Sequence, residues 1–74
     1  MNHHFRLAMA EIRRTFESRT VAIFERLAAG VRPEDLAREQ GMNVMAVYQG
    51  KKRIGQRLKE LIERQIWEED HPDG

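Results

Sequence analysis

Six cations stand close together in the second half of the chain: Lys51, Lys52, Arg53, Arg57, Lys59 and Arg64. Across residues 44–66 only Glu60 and Glu63 oppose them, leaving a local charge of +4 within a chain whose net charge is +1. Ammonium and guanidinium groups repeated along one helix can neutralise phosphates, and such a stripe is the electrostatic footprint of nucleic-acid binding. A plain solvated helix face would carry the same run. Just upstream, Met45, Ala46 and Gln49 are assigned to the outer face at the start of the same helix. Met45 and Ala46 have little reason to be apolar on a free surface, and thymine methyl groups would give one. Gln49 is the strongest base reader among them, because its amide can pair bidentately with adenine. Tyr48 belongs at the edge of the core, with its hydroxyl either solvated or within reach of a phosphate. The candidate DNA-binding set is therefore Met45, Ala46, Tyr48, Gln49, Lys51, Lys52, Arg53 and Arg57.

Other chemistries find little support. The chain has no cysteine, which removes disulfides, thiolate zinc sites and thiol nucleophiles together. His3 and His4 lack further ligands at metal-binding spacing and read as a flexible arm, with His71 an exposed tail residue. Glu11, Glu17, Glu25, Glu34, Asp35 and Glu39 are spread over three helices and form no paired-carboxylate site. A chain of 74 residues offers too little wall for a pocket of the usual size, so neither an enzyme nor a small-molecule ligand or cofactor is expected. No apolar run approaches the roughly 18 residues of a membrane span and no leader is evident. These features predict a cytoplasmic protein with no membrane partner.

The elements that position the basic stripe follow from periodicity and punctuation. Phe5, Met9, Ile12 and Phe16 recur on one helical face. Ser18 is placed to cap a second helix, whose inner side reads Val21, Phe24, Leu27 and Ala28 before Gly30 ends it. Pro33 opens a third helix, with Glu34 and Asp35 near the positive end of its dipole. Leu36 and Ala37 point inward, and Gly41 ends the segment. Asn43 then caps a long fourth helix whose inner positions include Val47, Ile54, Leu58, Leu61 and Ile62. Trp67 is expected to close the core between the first and last helices, with a hot spot for a partner as the other reading. The fold class is all-α: a four-helix domain over residues 1–67, with a helix-turn-helix at about 33–58 and no wing. Residues 68–74, rich in carboxylates, are expected to be a disordered tail able to compete weakly with phosphates.

The joint between the third and fourth helices carries the helix-turn-helix assignment. A close crossing needs a small residue, which Ala37 supplies. The sharp turn needs a glycine, which is Gly41, and the inward face of the next helix needs a branched apolar residue, which is Val47. Leu36 and Met42 fill flanking apolar positions, while Gln40 and Gly50 occupy two where apolar residues are usual.

The stretch Thr20–Leu58 resembles region 4 of the sigma-70 family of transcription initiation factors, in its extracytoplasmic-function group, and residues 14–20 resemble the entry of one variant of that group. The resemblance is carried by Arg14-Thr15-Phe16-Glu17-Ser18-Arg19-Thr20, by Phe24, and by Gly30-Val31-Arg32-Pro33-Glu34-Asp35-Leu36-Ala37. It continues through Gly41-Met42-Asn43-Val44 and Val47-Tyr48-Gln49-Gly50-Lys51-Lys52-Arg53-Ile54 to Leu58. Arg32 replaces the usual Ser or Thr cap of the third helix, and Gly50 and Gly55 sit inside the recognition helix. The resemblance implies sequence-specific binding of double-stranded promoter DNA at the −35 element. It also implies docking on the RNA polymerase core through the β flap, with an anti-sigma factor as a further partner. Region 2 of that family has no counterpart in these residues, so the chain reads as an excised domain or a stand-alone region 4-like protein. Two other readings stay open: a module that binds polymerase or an anti-sigma factor without DNA, and the helix-turn-helix of another transcription regulator.

Overall fold

The computed structural model describes residues 3–71, and among these it contains four helices and no strand. They are α1 (His3–Thr15), α2 (Ser18–Ala28), α3 (Pro33–Gln40) and α4 (Val44–Asp70). The all-α expectation and its helix order therefore hold. α4 is the axis of the domain: α1, α2 and α3 each pack on it, and α1 also touches α2.

Local chemistry sets the joints. Gly30, at φ 102°, closes α2 in a Schellman arrangement, with Val31 N–H bonded to the Arg26 carbonyl and Gly30 N–H to that of Leu27. Gly41, at φ 63°, repeats the pattern after α3, where Met42 N–H reaches the Ala37 carbonyl at 2.9 Å. Two residues later the Asn43 carboxamide oxygen accepts from Met45 N–H at 2.7 Å and starts α4 as expected. Pro33 opens α3 without a side-chain cap from Arg32. α2 departs from expectation: Ser18 is its first helical residue, and Glu17 occupies the cap position without a side-chain bond.

The core has two compartments that share α2 and α4. Ala8, Met9, Ile12, Val21, Ile54, Leu58 and Leu61 bring α1, α2 and α4 together, rimmed by Phe5, Phe16, Phe24 and Ile62. Ile23, Leu36, Ala37 and Val47 form the smaller compartment beneath the α3–α4 turn, with Leu27, Val31, Met42 and Val44 around it. Wedged between both, α2 must bury a wide arc. Val21 serves one compartment and Ile23 the other, and Ile23 was missing from the single inner face expected. Ala28, placed inward by the same pattern, is exposed on the last turn.

Three terminal expectations are corrected. Residues 3 and 4 are helical rather than a flexible arm: His4 is half-buried, its Nδ1–H donating to Gln65 Oε1 at 3.1 Å and its Nε2 lying 3.4 Å from Glu69. Trp67 is half exposed, not in the core, and stacks on His71 with ring centroids 4.1 Å apart. His71 also donates from Nδ1 to the Trp67 carbonyl at 2.8 Å. These contacts carry α4 through Glu68, Glu69 and Asp70, which were expected in a disordered tail. Residues 72–74 of that tail lie outside the described residues. From Arg53 to Asp70 the helix rises about 25 Å, more than two Debye lengths at about 0.1 M salt. Asp70 is thus screened from Arg53, while Glu68 stands about 16 Å along the helix from Arg57.

Gly55 has no need of a missing side chain, since a Cβ built there meets nothing within 4 Å. Gly55→Ala is expected to raise stability by about 1 kcal/mol, the propensity difference within a helix. A higher thermal midpoint checks this, and an unchanged or lower one contradicts it.

Candidate nucleic-acid interface

The helix-turn-helix rests on buried contacts rather than on the turn alone. Leu36 is fully buried, Val47 is 1% exposed and Ala37 is 7% exposed. The small Ala37 methyl thus lies in the compartment where α3 crosses α4. Polar ties hold α3 against α2 from outside. Arg19 Nη2 donates to the Gln40 carbonyl at 2.8 Å, placing a cation where the α3 dipole is negative. Arg26 pairs with Glu39 at 2.6 Å, an exposed bridge contributing about 1 kcal/mol at most.

This frame presents the start of α4 outward. Met45 is 61% and Tyr48 43% exposed. Gln49, Lys51, Lys52, Arg53 and Arg57 are exposed as well. At 3.6 residues per turn, Met45, Gln49, Lys52 and Gln56 fall on the side away from Val47, Ile54 and Leu58. Gln56 is absent from the candidate set, although its position two turns beyond Gln49 marks it from the sequence alone. Lys52 and Lys59 form one shoulder of this face, and Arg53 and Arg57 the other. The neutral centre of Met45, Gln49 and Gln56 is thereby flanked by cations on both sides. A helix lying in the major groove meets base edges at its centre and phosphates at its margins.

The candidate residues do not all share that face. Ala46 is half-buried and lines a pocket against α2 with Thr20, Ile23, Met42 and Gly50, so its methyl is turned away from the outer centre. Arg53 borders the same pocket. A Cβ on Gly50 would sit 3.6 Å from Thr20 Cγ2, an ordinary contact, so close packing does not demand glycine there. Lys51 projects along the flank opposite Arg53, away from the central face. Arg57 lies within the electrostatic reach of Glu11 on α1. The Glu11 carboxyl is held below its ordinary range, first by a hydrogen bond from Arg14 and further by the charges of Arg14 and Arg57, against an opposing contribution from desolvation.

Comparison with protein-family models, curated proteins and solved structures finds no match. The case for function rests on the surface itself. Between Val44 and Lys59 the helix carries five cations and no acid, whereas from Glu60 to Asp70 it carries five acids and one cation, Arg64. Its last turn has no base, and its first turn has no acid. The helix dipole favours the reverse arrangement at both ends. Helix stability therefore does not account for this charge placement. Among the described residues no helix is long and apolar enough to cross a membrane, and no group of three metal-binding side chains is found.

Proposed function

We propose that this chain is a sequence-specific DNA-binding domain that places the first half of α4 in the major groove of duplex DNA. The observation that carries the reading is the outer face of α4, with Met45, Gln49 and Gln56 at its centre and Lys52, Lys59, Arg53 and Arg57 on its shoulders. In mechanism, the shoulder cations draw in the phosphates and fix the register. Gln49, held rigidly by the Asn43 cap and the Val47 anchor, reads a base edge. The resemblance of Thr20–Leu58 to region 4 of extracytoplasmic-function sigma factors supports a narrower form of the reading. The duplex would be the −35 element of a bacterial promoter, and the cytoplasmic partners would be the RNA polymerase β flap and an anti-sigma factor.

Duplex binding measured across a series of salt concentrations tests the proposal. Four phosphate contacts give a log–log slope of about −3 to −4, since each releases about 0.9 counterion. Affinity that does not change with salt would overturn it.

A further inference from the structure

Four large hydrophobic side chains are exposed on α4, in two pairs: Met45 and Tyr48 near its start, Ile66 and Trp67 near its end. Between them the helix surface changes sign, from Lys52 on one side of its midpoint to Glu63 on the other. Tyr48 and Ile66 are separated by 18 residues, as are Gln49 and Trp67. Eighteen residues make about five full turns, so each pair lies on the same line of the helix surface. Lys52 and Glu63 are separated by about three turns and also share a line.

We propose that two copies of the chain pair through this outer face, with their α4 helices antiparallel about a two-fold axis passing between Arg57 and Leu58. In that register Lys52 of each copy meets Glu63 of the other. Tyr48 meets Ile66, and Gln49 covers Trp67. Every contact occurs twice, as a closed isologous dimer requires. Charge decides the orientation: parallel helices would set Lys52 against Lys52 and Glu63 against Glu63, whereas the antiparallel pair sets opposite signs together at both ends. The pairing also covers Tyr48, Ile66 and Trp67, three of the four large hydrophobic groups on α4 that the folded monomer leaves in water. Because it occupies Gln49 and Lys52, the dimer form would exclude the DNA contacts proposed above. The self-association itself stands independently of that reading.

Sedimentation of the full chain over micromolar to high-micromolar concentrations tests the pairing without DNA. The parent is expected to dimerise, with Trp67, the chain's one tryptophan, shifting its emission to the blue as the dimer forms. Lys52→Glu and Glu63→Lys each convert two attractive contacts into repulsive ones and are expected to weaken the dimer at least about tenfold. Both positions are exposed, so the circular dichroism of each variant should match the parent. Mixing the two variants one to one restores opposite charges at both contacts, and the mixed dimer is expected to recover parental stability. A parent that stays monomeric throughout, single variants that dimerise as well as the parent, or a mixture that fails to recover would each overturn the proposal.

Discussion

Leu36→Ala is expected to cost about 2–5 kcal/mol, the range for truncating a fully buried leucine. Leu36 is 0% exposed and sits among Ile23, Ala37 and Val47, a compartment with only four buried members. So few neighbours cannot collapse around the void without moving α3 away from α4. A domain of this size has little more than about 5 kcal/mol to lose. The thermal midpoint should fall by more than about 10 °C, since 1 kcal/mol corresponds to about 4–8 °C at this length. Near-ultraviolet and far-ultraviolet melts would report the loss together if the two compartments unfold as one unit. A shift of only a few degrees would mean that the smaller compartment does not hold the turn in place.

Ala37→Leu examines the same joint from the opposite side. The alanine methyl is buried where α3 crosses α4, and three added carbons have nowhere to go unless the helices separate. Overpacking of this kind costs about 1–3 kcal/mol. Arg38→Leu makes a side chain of the same shape one residue later, on an exposed position, and is expected to change stability by no more than about 0.5 kcal/mol. Equal melting of the two variants would remove the basis for calling the α3–α4 joint a close helix crossing.

Why the joint was readable from sequence, and other parts were not, follows from the range of the interactions involved. Asn43, Gly41 and Gly30 act on backbone groups within a few residues of themselves, so their types alone disclose the caps and turns. Ala37 and Val47 are legible for a related reason, because the short turn fixes which positions of two successive helices must meet. Ile23 escaped notice because a single apolar stripe cannot represent a helix buried on two sides. The ordered start of α1 and the full length of α4 depend on each other: His4 meets Gln65 across 61 residues of sequence, which no local pattern encodes. Trp67 is a large apolar residue at a permitted core position, yet its closest ring partner is His71, one turn along the same helix.

The interface divides along the same line. The cationic run and Gln49 were visible as residue types, and helical spacing would have added Gln56 and Lys59 to them. Ala46 was misplaced because its environment is set by the approach of α2, not by its position on α4. Arg57 is legible as a cation of the stripe, whereas its proximity to Glu11 comes from the packing of α1 on α4. The opposition between charge placement and helix dipole could be read only once α4 was known to continue unbroken to Asp70.

The central claim is that the outer face of α4 reads DNA, and binding by Gln49→Ala and Arg53→Ala beside the parent tests it most directly. The measurement is duplex affinity at several salt concentrations, on a site selected by the parent and on scrambled sequence. Arg53→Ala should weaken both duplexes alike and flatten the salt slope by about one unit, as loss of one phosphate contact requires. Gln49→Ala should cost about 1–3 kcal/mol on the selected site alone and leave the slope unchanged, because an uncharged base contact releases no counterion. If both variants bind as the parent does, or the parent shows no duplex binding near about 50 mM salt, α4 is a protein-docking surface and the DNA-binding account is wrong.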